Sequence, residues 1–132
     1  MFDRAFDALE RGDLEEFTDA IRDRTDPACE FRSGIGSVVG GGSYRGLDGI
    51  RSWFADVLAT SSERHWRNRR YESRGDELLV YLSDFEFTGA SSGAPVSTET
   101  GAVFEFENER VVRINSFTSH DEARSFAETR VA

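Results

Sequence analysis

Glu77-Leu78-Leu79-Val80-Tyr81-Leu82-Ser83-Asp84-Phe85-Glu86-Phe87-Thr88 is too long and too rich in strand formers to be a loop. Val80, Tyr81, Phe85 and Phe87 have branched or flat side chains that pack well on a pleated surface. Successive side chains of a strand point to opposite faces. One face therefore carries Leu79, Tyr81, Ser83, Phe85 and Phe87, apolar and aromatic to its end. The other carries Leu78, Val80, Leu82, Asp84, Glu86 and Thr88, which starts apolar and becomes charged. The pattern predicts a strand with one buried face and one partly covered face, in an antiparallel sheet with helices packed on one side. Tyr81 and Ser83 are the polar groups on the buried face. A buried hydroxyl needs a partner, so this part of the strand is a candidate pocket wall.

Composition sets the outer bounds. The 132 residues are expected to form a single domain spanning 1–132, with a core of their own. Hydrophobic residues make up 38% and aromatic residues 12%, including 11 Phe, which argues for a folded chain over a disordered one. The formal charge of −9 and the pI near 4.7 disfavour a nucleic-acid partner, because an acidic surface repels phosphates. All 16 basic residues are Arg. Cys29 is the only cysteine, so it can form no internal disulfide, and no Cys cluster suggests a metal. No apolar run reaches membrane-spanning length, and the acidic, amphipathic start lacks a signal-peptide layout. A cytoplasmic protein without a membrane partner is the expectation.

Outward from the central strand, the helices are read from their stripes. Phe2, Ala5, Phe6 and Leu9 fall on one helical face, and Gly12 is a natural stop. Asp13 can cap a second helix with Glu16 as the capping-box partner, and Leu14, Phe17 and Ile21 form its apolar side. Asp26-Pro27 ends that helix, and Ala28–Arg32 is a short strand. Ile50, Trp53, Phe54, Val57 and Leu58 mark the clearest helix in the chain. Thr60–Glu63 reads as a turn, and His65–Ser73, Val96–Glu107 and Val111–Thr118 as strands. Ser119 and Glu122 open a terminal helix carrying Ala123, Phe126 and Ala127. Helices segregated to one face of an antiparallel sheet make an α+β domain.

Gly34–Gly46 holds a run, Gly34-Ile35-Gly36-Ser37-Val38-Val39-Gly40, that looks like a dinucleotide fingerprint. That motif needs a helix starting at its second glycine, so that the helix N-terminus faces the pyrophosphate. Here more glycines follow, and the next helical pattern begins only near Leu47. A glycine loop is the reading, and no cofactor is expected.

Four local patterns together resemble the SnoaL-like branch of the NTF2-like superfamily, the cystatin-like α+β cone. They are Ala8-Leu9-Glu10-Arg11-Gly12-Asp13-Leu14, Tyr44-Arg45-Gly46-Leu47-Asp48-Gly49-Ile50, His65-Trp66-Arg67-Asn68, and the Phe104–Phe117 hairpin leading into Asp121-Glu122-Ala123. The resemblance implies a curved antiparallel sheet wrapped around N-terminal helices, a conical and largely apolar pocket, and a homodimer. It does not settle function, since isomerases, dehydratases, cyclases, epoxide hydrolases and plain binding domains share the fold. The positions used by ketosteroid isomerases hold Ala5, Arg32 or Ser33, and Ala102, none of which can do that chemistry. Dehydratase-like members use a histidine and an orienting acid, and His65 and Glu10 match those places. Phe31 stands where those members carry a tyrosine.

Two functions stay open on this reading. The first is a cofactor-free lyase or isomerase acting on an apolar cyclic metabolite. His65 would move the proton, Glu10 would orient it, and Tyr81 would polarise an oxygen. Phe17, Phe31, Trp53, Phe54, Ser83, Phe85, Ile114 and Ser116 would bind the ligand, and no metal is involved. The second is a non-catalytic ligand-binding or dimerisation domain of the same fold, with His65 a solvent-exposed histidine among arginines. His120 reads as a first-turn surface residue. Arg67-Asn68-Arg69-Arg70 either meets an anion or pairs with the chain's carboxylates. Leu78, Val80, Leu82, Val111 and Phe117 suggest an outer apolar face open to a partner.

Overall fold

A computed structural model describes residues 2–33, 43–89 and 91–131. Among these residues the chain runs α1 (Phe2–Glu10), α2 (Leu14–Arg22), β1 (Thr25–Ser33), β2 (Ser43–Arg45), α3 (Gly46–Thr60), β3 (Ser61–Ser73), β4 (Leu78–Gly89), β5 (Pro95–Glu107), β6 (Arg110–Phe117) and α4 (His120–Val131). The strands form one curved, unclosed sheet in the order β2-β1-β6-β5-β4-β3. This is the α+β cone fold. The neighbours pair antiparallel except β1 and β6, which run parallel. The glycine run Gly34–Gly40 lies outside the described residues.

The first two helices are separated by a backbone device that sequence alone predicts. Gly12 takes φ +75°, a conformation that glycine adopts without a Cβ penalty. Its N–H donates to Leu9 O at 3.0 Å, and the N–H of Asp13 donates to Ala8 O at 2.9 Å. Those two bonds close the end of α1 in a Schellman arrangement. The side chain of Asp13 then accepts from the Glu16 N–H at 3.0 Å. The Glu16 carboxylate is bonded to Arg4.

The turn expected over Thr60–Glu63 does not form. α3 passes directly into β3 at Ser61, and the joint is held by Arg64. This guanidinium is buried and bonds Ser61 Oγ (2.9 Å), Ser61 O (2.5 Å) and Leu9 O (3.4 Å). It thus sits where α1 and α3 end, and helix C-termini favour a cation.

Two β-bulges change which way side chains point. In β3, Arg67 pairs with Asp84 and Arg70 with Leu82, so Asn68 and Arg69 share one place opposite Ser83. Asn68 adopts φ +56° there, which asparagine tolerates better than most residues. In β6, Glu105 pairs with Arg113 but Phe106 with Val111. The extra residue places Val111 on the same inner side as Ile114 and Ser116. Strict alternation back from Ile114 would put Val112 there instead.

The sheet has helices on both faces. α1, α2 and α3 lie against the inner face, where Leu9, Phe17, Cys29, Phe31, Tyr81 and Ile114 belong to one buried cluster. α4 lies against the outer face. Leu78, Val80, Leu82 and Val103 pack there with Ala123 and Ala127, flanked by Phe117 and Phe126. The outer apolar face is therefore not open to a partner at Leu78, Val80 or Leu82, because α4 covers it. α4 approaches closely because β5 carries Gly101, where an added Cβ would lie 2.8 Å from Ala123 Cβ.

Candidate functional site

Between the inner face and the first three helices lies a cavity of about 280 Å³. Its wall is mostly aromatic. Phe2 and Phe6 come from α1, Phe17 from α2, Phe31 from β1, Trp53 and Phe54 from α3, Trp66 from β3, and Tyr81, Phe85 and Phe87 from β4. The rings brace one another. Phe6 stacks on Tyr81 at 4.6 Å, Trp66 on Phe85 at 4.6 Å, and Phe85 on Phe87 at 5.0 Å. Trp53 meets Phe54 edge-on at 4.8 Å, and Phe54 lies 4.8 Å from Phe17. Offset and edge-on pairs of this kind are favourable beyond the area they bury. The apolar stripe of α3 is thus turned to the cavity, and Trp53, Phe54 and Val57 remain half-buried.

The predicted lining residues Phe17, Phe31, Trp53, Phe54, Phe85, Ile114 and Ser116 all reach this cavity, as does Tyr81. So do Ala5 and Ala102, whose small side chains add little bulk to the wall. Ser83 is fully buried behind the wall. It organises a line of hydroxyls. Tyr81 Oη donates to Ser83 Oγ at 2.7 Å, and Ser83 Oγ lies 2.8 Å from Thr100 Oγ1. Burial pushes the Tyr81 phenol well above its ordinary pKa, outweighing Ser83 and Arg69, which pull it down. Tyr81 is a neutral donor across the physiological range.

His65 and Glu10 both border an open polar groove outside the cavity, with Asp3, Asp7, Arg69 and Tyr71. Arg64 and Trp66 are buried, whereas His65 between them is exposed and does not line the cavity. The Glu10 carboxylate is already engaged. It accepts the Trp66 N–H at 2.7 Å and pairs with Arg69 at 3.2 Å. Arg69, turned by the bulge, also bonds Asp7 at 3.0 Å and Trp66 O at 3.0 Å. Glu10 therefore ties α1 to the bulge of β3. The basic stretch divides in the same way. Arg64 is buried, Arg69 pairs with the acids of α1, and Arg67 pairs with Glu86 at 2.7 Å.

His120 is in the first turn of α4 as expected, but its side chain is only 12% exposed. Nε2 donates to the Ser83 carbonyl at 2.7 Å, and Nδ1 lies 3.3 Å from Arg70. It pins α4 to the back of the cavity wall.

Trp66, Phe2, Phe6, Thr98 and Thr100 also line the wall and were not singled out as ligand contacts from the sequence. Trp66 was visible in the alternation of β3, and Phe2 and Phe6 in the stripe of α1. The threonines carry no such signal, since Thr is common in any exposed strand.

With this architecture in hand, the fold is of the NTF2-like class. Residues 2–114 match the model of the SnoaL-like domain, and the chain belongs to that family. A search of curated proteins gave no match. Among solved structures, an NTF2-like protein of unknown function from Burkholderia pseudomallei K96243 superposes with TM-score 0.72. It shares 20% identity over 96% of this chain and 93% of that one. TerC, co-crystallised with polyporic acid, gives TM-score 0.70 at 16% identity over 96% and 95%. A protein from Xanthomonas campestris pv. campestris, provisionally described as a polyketide cyclase, gives 0.70 at 11% over 99% and 93%. Identities this low carry the fold and nothing finer.

Proposed function

We propose that this SnoaL-like domain binds a small, largely apolar ring compound in the cavity between sheet and helices. One observation carries the reading. Among the described residues, about 280 Å³ of space is walled by aromatic and aliphatic side chains and hydroxyls, with no charged side chain on the wall. Small-molecule sites are concave, mostly apolar and of about 300–1,000 Å³, so this cavity lies just below that range. An apolar cavity of roughly 150 Å³ can hold benzene, which makes room here for about two fused rings. The association of structural relatives with polyporic acid and with polyketide cyclisation supports the same class of ligand.

No proton-transfer pair is assigned to the site. Tyr81 is the one titratable group on the wall among the described residues, and burial keeps it protonated. His65 is outside, and Glu10 is held by Trp66 and Arg69.

Thermal unfolding in benzene-saturated buffer tests the reading. Occupation at a hundred times Kd is worth about 2.7 kcal/mol and raises Tm. Ala102→Leu, which places a larger side chain in the cavity, is expected to remove that rise. A wild-type Tm indifferent to benzene would overturn the proposal.

A further inference from the structure

We infer that the β4–β5–β6 wall selects an uncharged ring compound by an acceptor oxygen, such as a ketone carbonyl, with Thr100 and Ser116 as the donors that hold it. The inference deepens the binding function proposed above and rests on it.

The argument follows the protons. Tyr81 donates to Ser83 Oγ at 2.7 Å. Either hydroxyl of the Ser83–Thr100 pair, 2.8 Å apart, can be the donor; with Ser83 Oγ already accepting from Tyr81, we take Ser83 to donate to Thr100 Oγ1. Thr100 is left with its own O–H to place. The acceptor within reach is Ser83 O at 3.5 Å, at the weak end of hydrogen-bond geometry. Thr100 lines the cavity. A ligand oxygen at ordinary distance would win that proton, and the two bonds behind it would polarise the donor further.

Ser116 supplies a second donor. The residue lines the cavity, and its Oγ, buried within the wall, has no hydrogen-bond partner among the described residues. Ser116 pairs with Ala102 across β5–β6, and Thr100 lies two residues before Ala102 on the same face. The two residues are therefore diagonal neighbours about 7–8 Å apart, with their β-carbons somewhat closer. An acceptor-bearing edge of a ring compound spans that distance. Of the wall's other hydroxyls, those of Thr60, Ser61, Tyr81 and Thr98 already donate within the protein.

Charge decides the remainder. A carboxylate or sulfonate in this cavity would meet no cation on the wall, and an unpaired buried charge is strongly disfavoured. The guanidinium of Arg64 is turned to Ser61 and Leu9, and that of Arg69 to the acids of α1.

Three probes with one skeleton test this by calorimetric titration: indane, 1-indanone and indane-2-carboxylate. The expected order is 1-indanone about tenfold tighter than indane, the scale of one or two net hydrogen bonds, with no heat from the carboxylate. Thr100→Val and Ser116→Ala should each shrink the indanone-to-indane affinity ratio about threefold. Circular dichroism would verify that both variants fold. Equal affinity for indane and indanone in the wild type would overturn the oxygen contact while leaving ring binding intact. Tightest binding by the carboxylate would overturn neutrality. No binding of any probe, with no benzene response, would overturn the inference together with the function beneath it.

Discussion

The two faces of β4 come from one strand and solve opposite packing problems. On the outer face Val80 and Leu82 are completely buried against Val103, Ala123 and Ala127. On the inner face Tyr81 and Phe85 are much larger, yet they surround space. The difference lies in what each face meets. α4 presents small alanines and comes close over Gly101, so aliphatic side chains interlock. The inner helices present rings, and rings propped against rings leave gaps that a flexible aliphatic core would close. The outer face holds the sheet together, and the inner face keeps a volume open.

Truncation should separate the faces most strongly. Leu82→Ala is expected to cost about 2–5 kcal/mol in urea unfolding, as for other fully buried leucines. Phe54→Ala, half-buried beside the cavity, should cost clearly less than the roughly 3–5 kcal/mol usual for a buried phenylalanine. Equal losses would mean that the inner face is packed as tightly as the outer. Next in size is the close approach of α4. Gly101→Ala should lose about 1–3 kcal/mol through overpacking, and Ala123→Gly in the same chain should recover part of it in a double-mutant cycle.

A titration sharpens the contrast from the inner side. Cys29 and Tyr81 both lie in the inner cluster. Burial, with Asp26 and Glu30 adding to it, pushes the Cys29 thiol up to about 12, and burial raises the Tyr81 phenol. Both groups hold their protons more tightly folded than unfolded. The stability they contribute is fully present below their unfolded values, about 8.5 for the thiol and about 10 for the phenol. It is lost as pH rises through the folded values. Unfolding free energy should therefore fall steadily above pH about 9, and Cys29→Ala with Tyr81→Phe should flatten that fall. The smallest effect belongs to His65. As an exposed residue outside the cavity, His65→Ala should change stability by no more than about 0.5 kcal/mol and leave benzene stabilisation unchanged.

Much of this contrast was legible in the chain. The alternation of Glu77–Thr88 separated an aromatic face from one that turns charged, and Asp84 and Glu86 do sit on the outer side beyond α4. Gly12 and Asp13 announced the helix break, and the local patterns pointed to the right family. What escaped had physical causes. The terminal helix was legible with Ala123, Phe126 and Ala127 on it, but its packing over Leu78, Val80 and Leu82 is a long-range contact that no local pattern records. The β6 bulge exchanged Val112 for Val111, a shift that period-two counting cannot anticipate. β1 runs through Pro27 with an irregular register between Thr25 and Glu30, where the sequence reads as a break. Its parallel partner β6 is distant in sequence and leaves no local trace. His65 was placed by likeness to a catalytic position, although Trp66 beside it already required the inner side.

Arg64 gives the fold a joint whose strength is independent of dissolved ions. The chain carries a formal charge of −9, and its many surface ion pairs weaken as salt screens them. At the corner where α1, α3 and β3 converge, the Glu10 carboxylate takes the Trp66 N–H, and among the described residues Arg64 bonds to no carboxylate. Its shielded guanidinium grips carbonyl and hydroxyl oxygens. Added salt relieves the repulsion among the surface acids and leaves this corner untouched, so a rise in ionic strength acts on the periphery of the molecule while its hinge keeps the same grip.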